Sequence, residues 1–149
     1  MKLIKSNLAI ALAAAVALNG CGSGEDEETT AINIPEDTAP PSISIEQAKL
    51  LNEPADALLE SSVRLSLSKA AKEEVTLSYE VTALTATAGV DFEISAGDIT
   101  IPFGSFRSTI SFNVLPDSFD EEDETFLISI SDPKNATLNT GFTESIVTI

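Results

Sequence analysis

The sequence predicts an all-β chain: a seven-strand antiparallel β-sandwich of immunoglobulin-like type, standing after an N-terminal targeting segment and a flexible linker. Three observations predict it. From Ser42 to the last residue, apolar and polar residues alternate with period two. Turn-forming residues cut this alternation into short runs. The stretch 42–149 is also close to the roughly 100 residues of a sandwich domain, enough to bury a core without disulfides.

The strands follow in order. Ile43 and Ile45 alternate with Ser42 and Ser44. Val63, Leu65 and Leu67 alternate with Arg64, Ser66 and Ser68. Val75, Leu77, Tyr79 and Val81 form the third run, and Ile99, Ile101 and Phe103 the fourth. Ile110, Phe112 and Val114 form the fifth, and Phe126, Ile128 and Ile130 the sixth. Ile146, Val147 and Ile149 supply the last. Each pattern reads as a half-buried strand with one face in and one face out. Glu46 to Glu60 carries four leucines, but Pro54 interrupts it, so it reads as a loop or short edge strand rather than a long helix. Asn135-Ala136-Thr137 matches a glycosylation acceptor, but after Asp132-Pro133 it reads as a turn. No internal repeat of domain length is found.

Residues 1–20 read as a signal peptide. Lys2 and Lys5 make a basic start, and Leu8 to Leu18 is an apolar run too short to cross a bilayer as a helix. Leu18-Asn19-Gly20-Cys21 resembles the lipobox of bacterial lipoproteins. That resemblance implies lipidation of the Cys21 sulfur and cleavage just before it. Gly22, where an Asp would signal retention, implies the outer membrane and a place in the cell envelope. Residues 21–41 then form the linker. Gly-Ser-Gly, four acids from Glu25 to Glu28 and Pro40-Pro41 give a solvated, self-repelling spacer with a span of about 25 Å.

The chain has 8 Lys and Arg against 24 Asp and Glu; without Lys2 and Lys5 the balance is 6 against 24. So acidic a surface repels nucleic acid and anionic headgroups and attracts cations. There is no His and no Trp, and one Cys. The commonest general base and the commonest metal ligand are thus missing, and neither an internal disulfide nor a Cys-rich zinc site can form.

The acids are not evenly spread. Asp117, Asp120, Glu121, Glu122, Asp123 and Glu124 crowd the connection between two predicted strands. Asp91 lies in the loop Ala88-Gly89-Val90-Asp91-Phe92, and Glu53 follows the first strand. These loops are expected to meet at one end of the sandwich. Two carboxylates 4 Å apart repel by about 1 kcal/mol in water and by more at a partly dry surface. A folded loop holding several of them therefore favours a cation. All-oxygen ligands select a hard ion, and the adaptable geometry of a loop suits calcium better than magnesium. The spacing is not that of an EF-hand: the sixth position from Asp117 is Glu122, where that loop needs Gly. A merely solvated acidic loop is the competing reading.

The loop Ala88 to Phe92, the stretch Gly97-Asp98-Ile99-Thr100-Ile101-Pro102 with Gly104, the run D-S-F-D-E-E-D-E-T-F from Asp117 to Phe126, and Leu127 to Pro133 with Asn135 to Leu138 together resemble the Calx-β domain. The likeness covers 42–149, and E-x-x-E-T-F, Glu121 to Phe126, is its most specific part. The family is known from sodium–calcium exchangers and integrin-type receptors and recurs in bacterial surface proteins. The resemblance implies calcium at one tip of the sandwich, held by Glu53, Asp91, Asp117, Glu121 and Glu124 with the Phe119 carbonyl. Two departures stand out. Pro116 replaces an acid that often precedes Asp117, and the acidic group that the family places after its last strand has no counterpart before Ile149, where this sequence stops. Either the sequence is a fragment or the site has lost that wall; with fewer anionic ligands, binding is expected to be weak, in the ~10⁻⁴–10⁻³ M range of extracellular modules.

Three functions are weighed on these residues. The first is a calcium-binding, lipid-anchored structural, adhesive or cell-communication module, with a surface protein or polysaccharide as a possible partner. The second is a metal-free sandwich acting as spacer or protein-binding domain through its edge strands. The third is a carboxylate-pair hydrolase, disfavoured by the absence of Trp for sugar stacking and by the little chain left for a deep cleft. The chain is expected not to be an enzyme.

Overall fold

A computed structural model describes residues 37–116 and 122–149. The strands, in chain order, are β1 (Ser42–Ile45), β2 (Ala48–Leu50), β3 (Leu59–Leu67), β4 (Val75–Ala83), β5 (Phe92–Glu93), β6 (Gly97–Ile101), β7 (Arg107–Val114), β8 (Thr125–Lys134), β9 (Thr137–Leu138) and β10 (Glu144–Thr148). They form two five-stranded sheets, ordered β5-β7-β3-β1-β9 and β2-β10-β8-β4-β6. No helix is present among the described residues.

The alternation does what a half-buried strand requires. In β7, Ile110, Phe112 and Val114 are buried while Thr109 and Ser111 face out; in β8, Phe126, Ile128 and Ile130 are buried. The inner faces of the two sheets meet in one apolar core that includes Ile43, Val63, Leu65, Val75, Ile101 and Val147. At its centre the Phe126 ring stacks on Phe92 of the other sheet, with centroids 4.0 Å apart, and meets Phe112 edge-on at 5.3 Å. Such pairs add about 0.5–1.5 kcal/mol each beyond the area they bury.

The all-β sandwich is as the sequence predicts, with differences at its edges. Ten strands are found among the described residues where the alternation predicts seven. Glu46 to Glu60 does hold a short edge strand, β2, while β5 and β9 are two-residue strands too short to show a period. The sheets are mixed rather than purely antiparallel, because β1 pairs parallel with β9 and β2 parallel with β10. Between β1 and β2 the chain crosses from one sheet to the other at Glu46 and Gln47. It keeps its direction as it does so, and each half therefore meets a late strand in parallel. The Gln47 side chain secures the crossing by donating to the Gly141 carbonyl at 2.8 Å.

Two apolar positions are also corrected. Phe103 does not extend β6. Pro102 has no N–H for a ladder, and the Ser105 amide closes a turn on the Pro102 carbonyl at 3.0 Å, with Gly104 at φ +81°. Phe103 sits at the corner of that turn, 75% exposed. In β10, Ile146 and Val147 are neighbours and cannot share a face. Register pairs Val147 with buried Phe126, so Val147 and Ser145 point inward and Ile146 outward. Asn135 adopts φ +60° and donates to the Glu74 carbonyl, so the segment after Pro133 is a turn, as the sequence implies.

Candidate metal centre

One end of the sandwich is assembled by backbone hydrogen bonds that link five segments in series. The Leu51 amide, just past β2, donates to the Thr148 carbonyl at 2.9 Å. Glu124 and Ile149 exchange both amide–carbonyl bonds, at 2.8 and 2.9 Å. The Thr125 carbonyl receives the amides of Leu84, Thr85 and Ala86 at 3.0–3.2 Å. The Leu115 amide, just past β7, donates to the Asp91 carbonyl at 2.9 Å. Glu53, Asp91, Glu124, the start of the 115–124 connection and the end of β10 are thereby brought to one end of the fold.

Asp91 is the best-defined acid there. It is 6% exposed, the only buried charged side chain among the described residues. Its Oδ2 accepts the Thr87 amide at 2.6 Å, while the Thr87 carbonyl receives the amides of Val90 and Asp91 at 3.1 and 3.0 Å. Gly89, at φ +81°, lets the chain turn back so that its amide reaches the Phe92 carbonyl at 2.8 Å. The loop therefore closes around its own carboxylate, and Phe92, the next residue, carries the position into the core. Burying a carboxylate is costly unless charge or hydrogen bonds compensate it.

Glu124 is partly buried at the entry to β8. The next two residues explain why it is held in place. The Thr125 amide donates to the Thr85 hydroxyl at 2.7 Å, and the two hydroxyls lie 3.1 Å apart, stapling β8 to the chain leaving β4. Phe126 then enters the aromatic stack. Glu53 is partly buried in the connection from β2 to β3. Asp117, Phe119 and Glu121 lie outside the described residues, as does Cys21. Among the described residues, no three acids stand close enough to hold a metal ion together. Thr87, Thr85 and Thr125 were not singled out by sequence reasoning; Thr125 lay in plain view, as the Thr of E-T-F.

The Calx-beta domain family matches residues 36–149. This chain belongs to the Calx-beta family. Calx-beta domains are regulatory and binding domains rather than enzymes, and the family is of a calcium-binding type. Among solved structures, the chain is similar to the crystal structure of CBD12 from CALX1.2, with 25% identity and a TM-score of 0.65 over 72% of this chain. It spans 44% of the length of that structure. The apo-form Calx CBD1 domain is similar in fold, with 23% identity and a TM-score of 0.59 over 73% of this chain and 96% of that one. So is the Calx CBD2 domain, with 16% identity and a TM-score of 0.63 over 72% and 84% of the two chains. A comparison with curated proteins finds no match. In this Calx-beta domain Asp91, Glu124 and Glu53 offer only the carboxylate oxygens that a hard cation takes, and Asp91 is already buried, but the three by themselves do not stand close enough to form a metal-binding group. Asp91 and Glu124 would line such a site; the ion would supply charge compensation and a joint between loops.

Proposed function

We propose that this Calx-beta domain is a calcium-responsive structural module, not an enzyme, carried at the bacterial cell envelope on a lipid attached to Cys21. The observation that carries the calcium reading is Asp91: a buried carboxylate, fixed by the Thr87 amide, at the end of the sandwich where Glu124 and both ends of the acidic connection also arrive. Calcium there offsets carboxylate repulsion and ties the 115–124 connection to the loop at Asp91. The ligand set is Glu53, Asp91, Asp117, Glu121, Glu124 and the Phe119 carbonyl. The lipid reading rests on the basic start, the short apolar run and the Leu18-to-Cys21 motif. A surface protein or polysaccharide is the partner class that suits such a module.

A thermal melt of the acylated chain in millimolar calcium, with magnesium and a chelator as controls, tests the ion site. At ten times its dissociation constant, an ion that binds only the folded state stabilises it by about 1.4 kcal/mol. That corresponds to a rise of roughly 5 °C in Tm for a domain of this size. The rise is expected with calcium, to be much smaller with magnesium, and to vanish in Asp91→Asn and Glu124→Gln. Equal melts in calcium and chelator would leave a metal-free spacer. Mass spectrometry of the N-terminal peptide tests the acyl chains on Cys21.

A further inference from the structure

The opposite end of the sandwich differs in charge, and its exposed apolar side chains are aromatic where those of the acidic end, Leu50, Leu84 and Val90, are aliphatic. It is built from the β3–β4 connection, the β6–β7 turn, the β8–β9 turn and the chain entering at Asp37. The Gly104 amide donates to the Ala71 carbonyl and the Ala71 amide to the Ser105 carbonyl, each at 2.8 Å, so the β6–β7 turn is fastened to the β3–β4 connection. From this base two large apolar side chains project. Phe103 is 75% exposed and Phe106 is 49% exposed, with the Arg107 guanidinium 5.0 Å from the Phe106 ring centre. Lys69 pairs with Asp37 at 2.5 Å, and the Lys72 ammonium donates to the Asp37 carbonyl at 2.7 Å.

Charge sets this end apart. It holds Lys69, Lys72, Arg107 and Lys134 against Asp37, Glu73, Glu74 and Asp132, and is locally neutral. The other described residues hold only Lys49 and Arg64 against twelve acids. Anionic headgroups would repel those acids and have no net quarrel with the base. The chain that leads back to Cys21 also leaves from this base, at Asp37.

We propose that this base is a membrane-contacting surface, with Phe103 inserted at the headgroup–acyl boundary of a lipid bilayer and the acid-bearing end held away from it. An aromatic ring at the corner of a fastened turn, on a base that also carries Lys69, Lys72 and Arg107, is the kind of group that seats at that boundary. The inference rests on the proposed lipid anchor for its setting, because one exposed Phe binds a bilayer weakly unless the chain is already tethered there. The tether supplies proximity, and Phe103 with its cationic neighbours supplies orientation.

Having no Trp, the chain allows single-Trp reporters. Phe103→Trp places the reporter in the β6–β7 turn. Val90→Trp places it in the loop at Asp91, where Val90 is 58% exposed. Each full acylated chain is incorporated into vesicles of phosphatidylethanolamine and phosphatidylglycerol, with and without bromine on the acyl chains. The F103W emission is expected to shift to the blue and lose intensity to the bromines, while the V90W emission does neither. F103W emission that matches V90W in the brominated vesicles overturns the proposal. So does an F103W blue shift that appears without lipid and grows with protein concentration, which would report self-association. Flotation of wild type against Cys21→Ser reads the anchor separately. If the wild-type chain does not float, the anchor reading fails, and F103W coupled through the thiol of Cys21, the only Cys of the sequence, to a maleimide lipid in the same vesicles decides the surface: quenching supports it, and its absence removes it.

Discussion

At the scale of single residues, the end of the fold around Asp91 depends on one carboxylate and the backbone it holds. Asp91→Ala removes the acceptor for the Thr87 amide. It should cost about 1–2 kcal/mol in calcium-free denaturant titrations, the lower part of the range for a charged hydrogen bond because Thr87 itself is exposed. Asp91→Asn keeps an acceptor, so it should change calcium-free stability by less than about 1 kcal/mol while losing the calcium response. The pair separates the carboxylate's role in the loop from its role toward an ion. Gly89→Ala meets no atom within 4 Å among the described residues. Its cost is that of the left-handed backbone, about 1–2 kcal/mol, and the same titration measures it. The place of Asp91, in the loop Ala88 to Phe92 between strands, was legible in the sequence. Thr87 was not, because an amide donating to a carboxylate four residues on has no compositional signature.

At the scale of elements, the long strands were legible and the short ones were not. Alternation in β3, β4, β7 and β8 is continuous enough to fix which face is buried. β5 and β9 have only two residues each and exist because their neighbours leave backbone groups to be paired. β10 shows where composition misleads: three apolar residues near the end of the chain suggest an inward Ile146, yet register puts Ser145 inside instead. The Ser145 hydroxyl is fully buried and has no hydrogen-bond partner among the described residues. Ser145→Ala should therefore be neutral or stabilise by up to ~1 kcal/mol, read as a higher urea midpoint at unchanged slope. A fall in that midpoint would mean that the hydroxyl packs better than its missing partner suggests. In the aromatic stack, Phe126→Ala should cost about 3–5 kcal/mol. It should also weaken any calcium response, because Glu124 and Asp91 each lie within two residues of the rings that stack. At the base, the Lys69 ammonium beside Asp37 holds its carboxyl below the usual carboxylate range. The stabilisation this pair gives is complete above the ordinary Asp pKa and is lost as the pH falls through the lowered one. Acid should therefore loosen the start of the domain, measured as lower amide protection near Asp37 after division by the intrinsic exchange rate at each pH.

At the scale of the whole molecule, 24 acids against 8 bases repel one another. Simple salt should raise Tm gradually as screening shortens to about 8 Å at 0.15 M. A calcium site would add a separate, saturable rise at constant ionic strength, so titrating the two independently distinguishes screening from binding. The pairing of first strands with last has a further consequence. β10 lies inside its sheet, between β8 and β2, with Val147 fully buried, and β9 completes the edge beside β1. Neither sheet is complete until residues 95 to 98 positions apart, such as Ser42 with Thr137 and Ala48 with Ile146, have met, which makes folding slow and late. A chain emerging from the ribosome N-terminus first cannot complete this sandwich before Glu144–Thr148 arrive. Until then the sandwich stays open, which suits the export that the proposed lipid anchor would require.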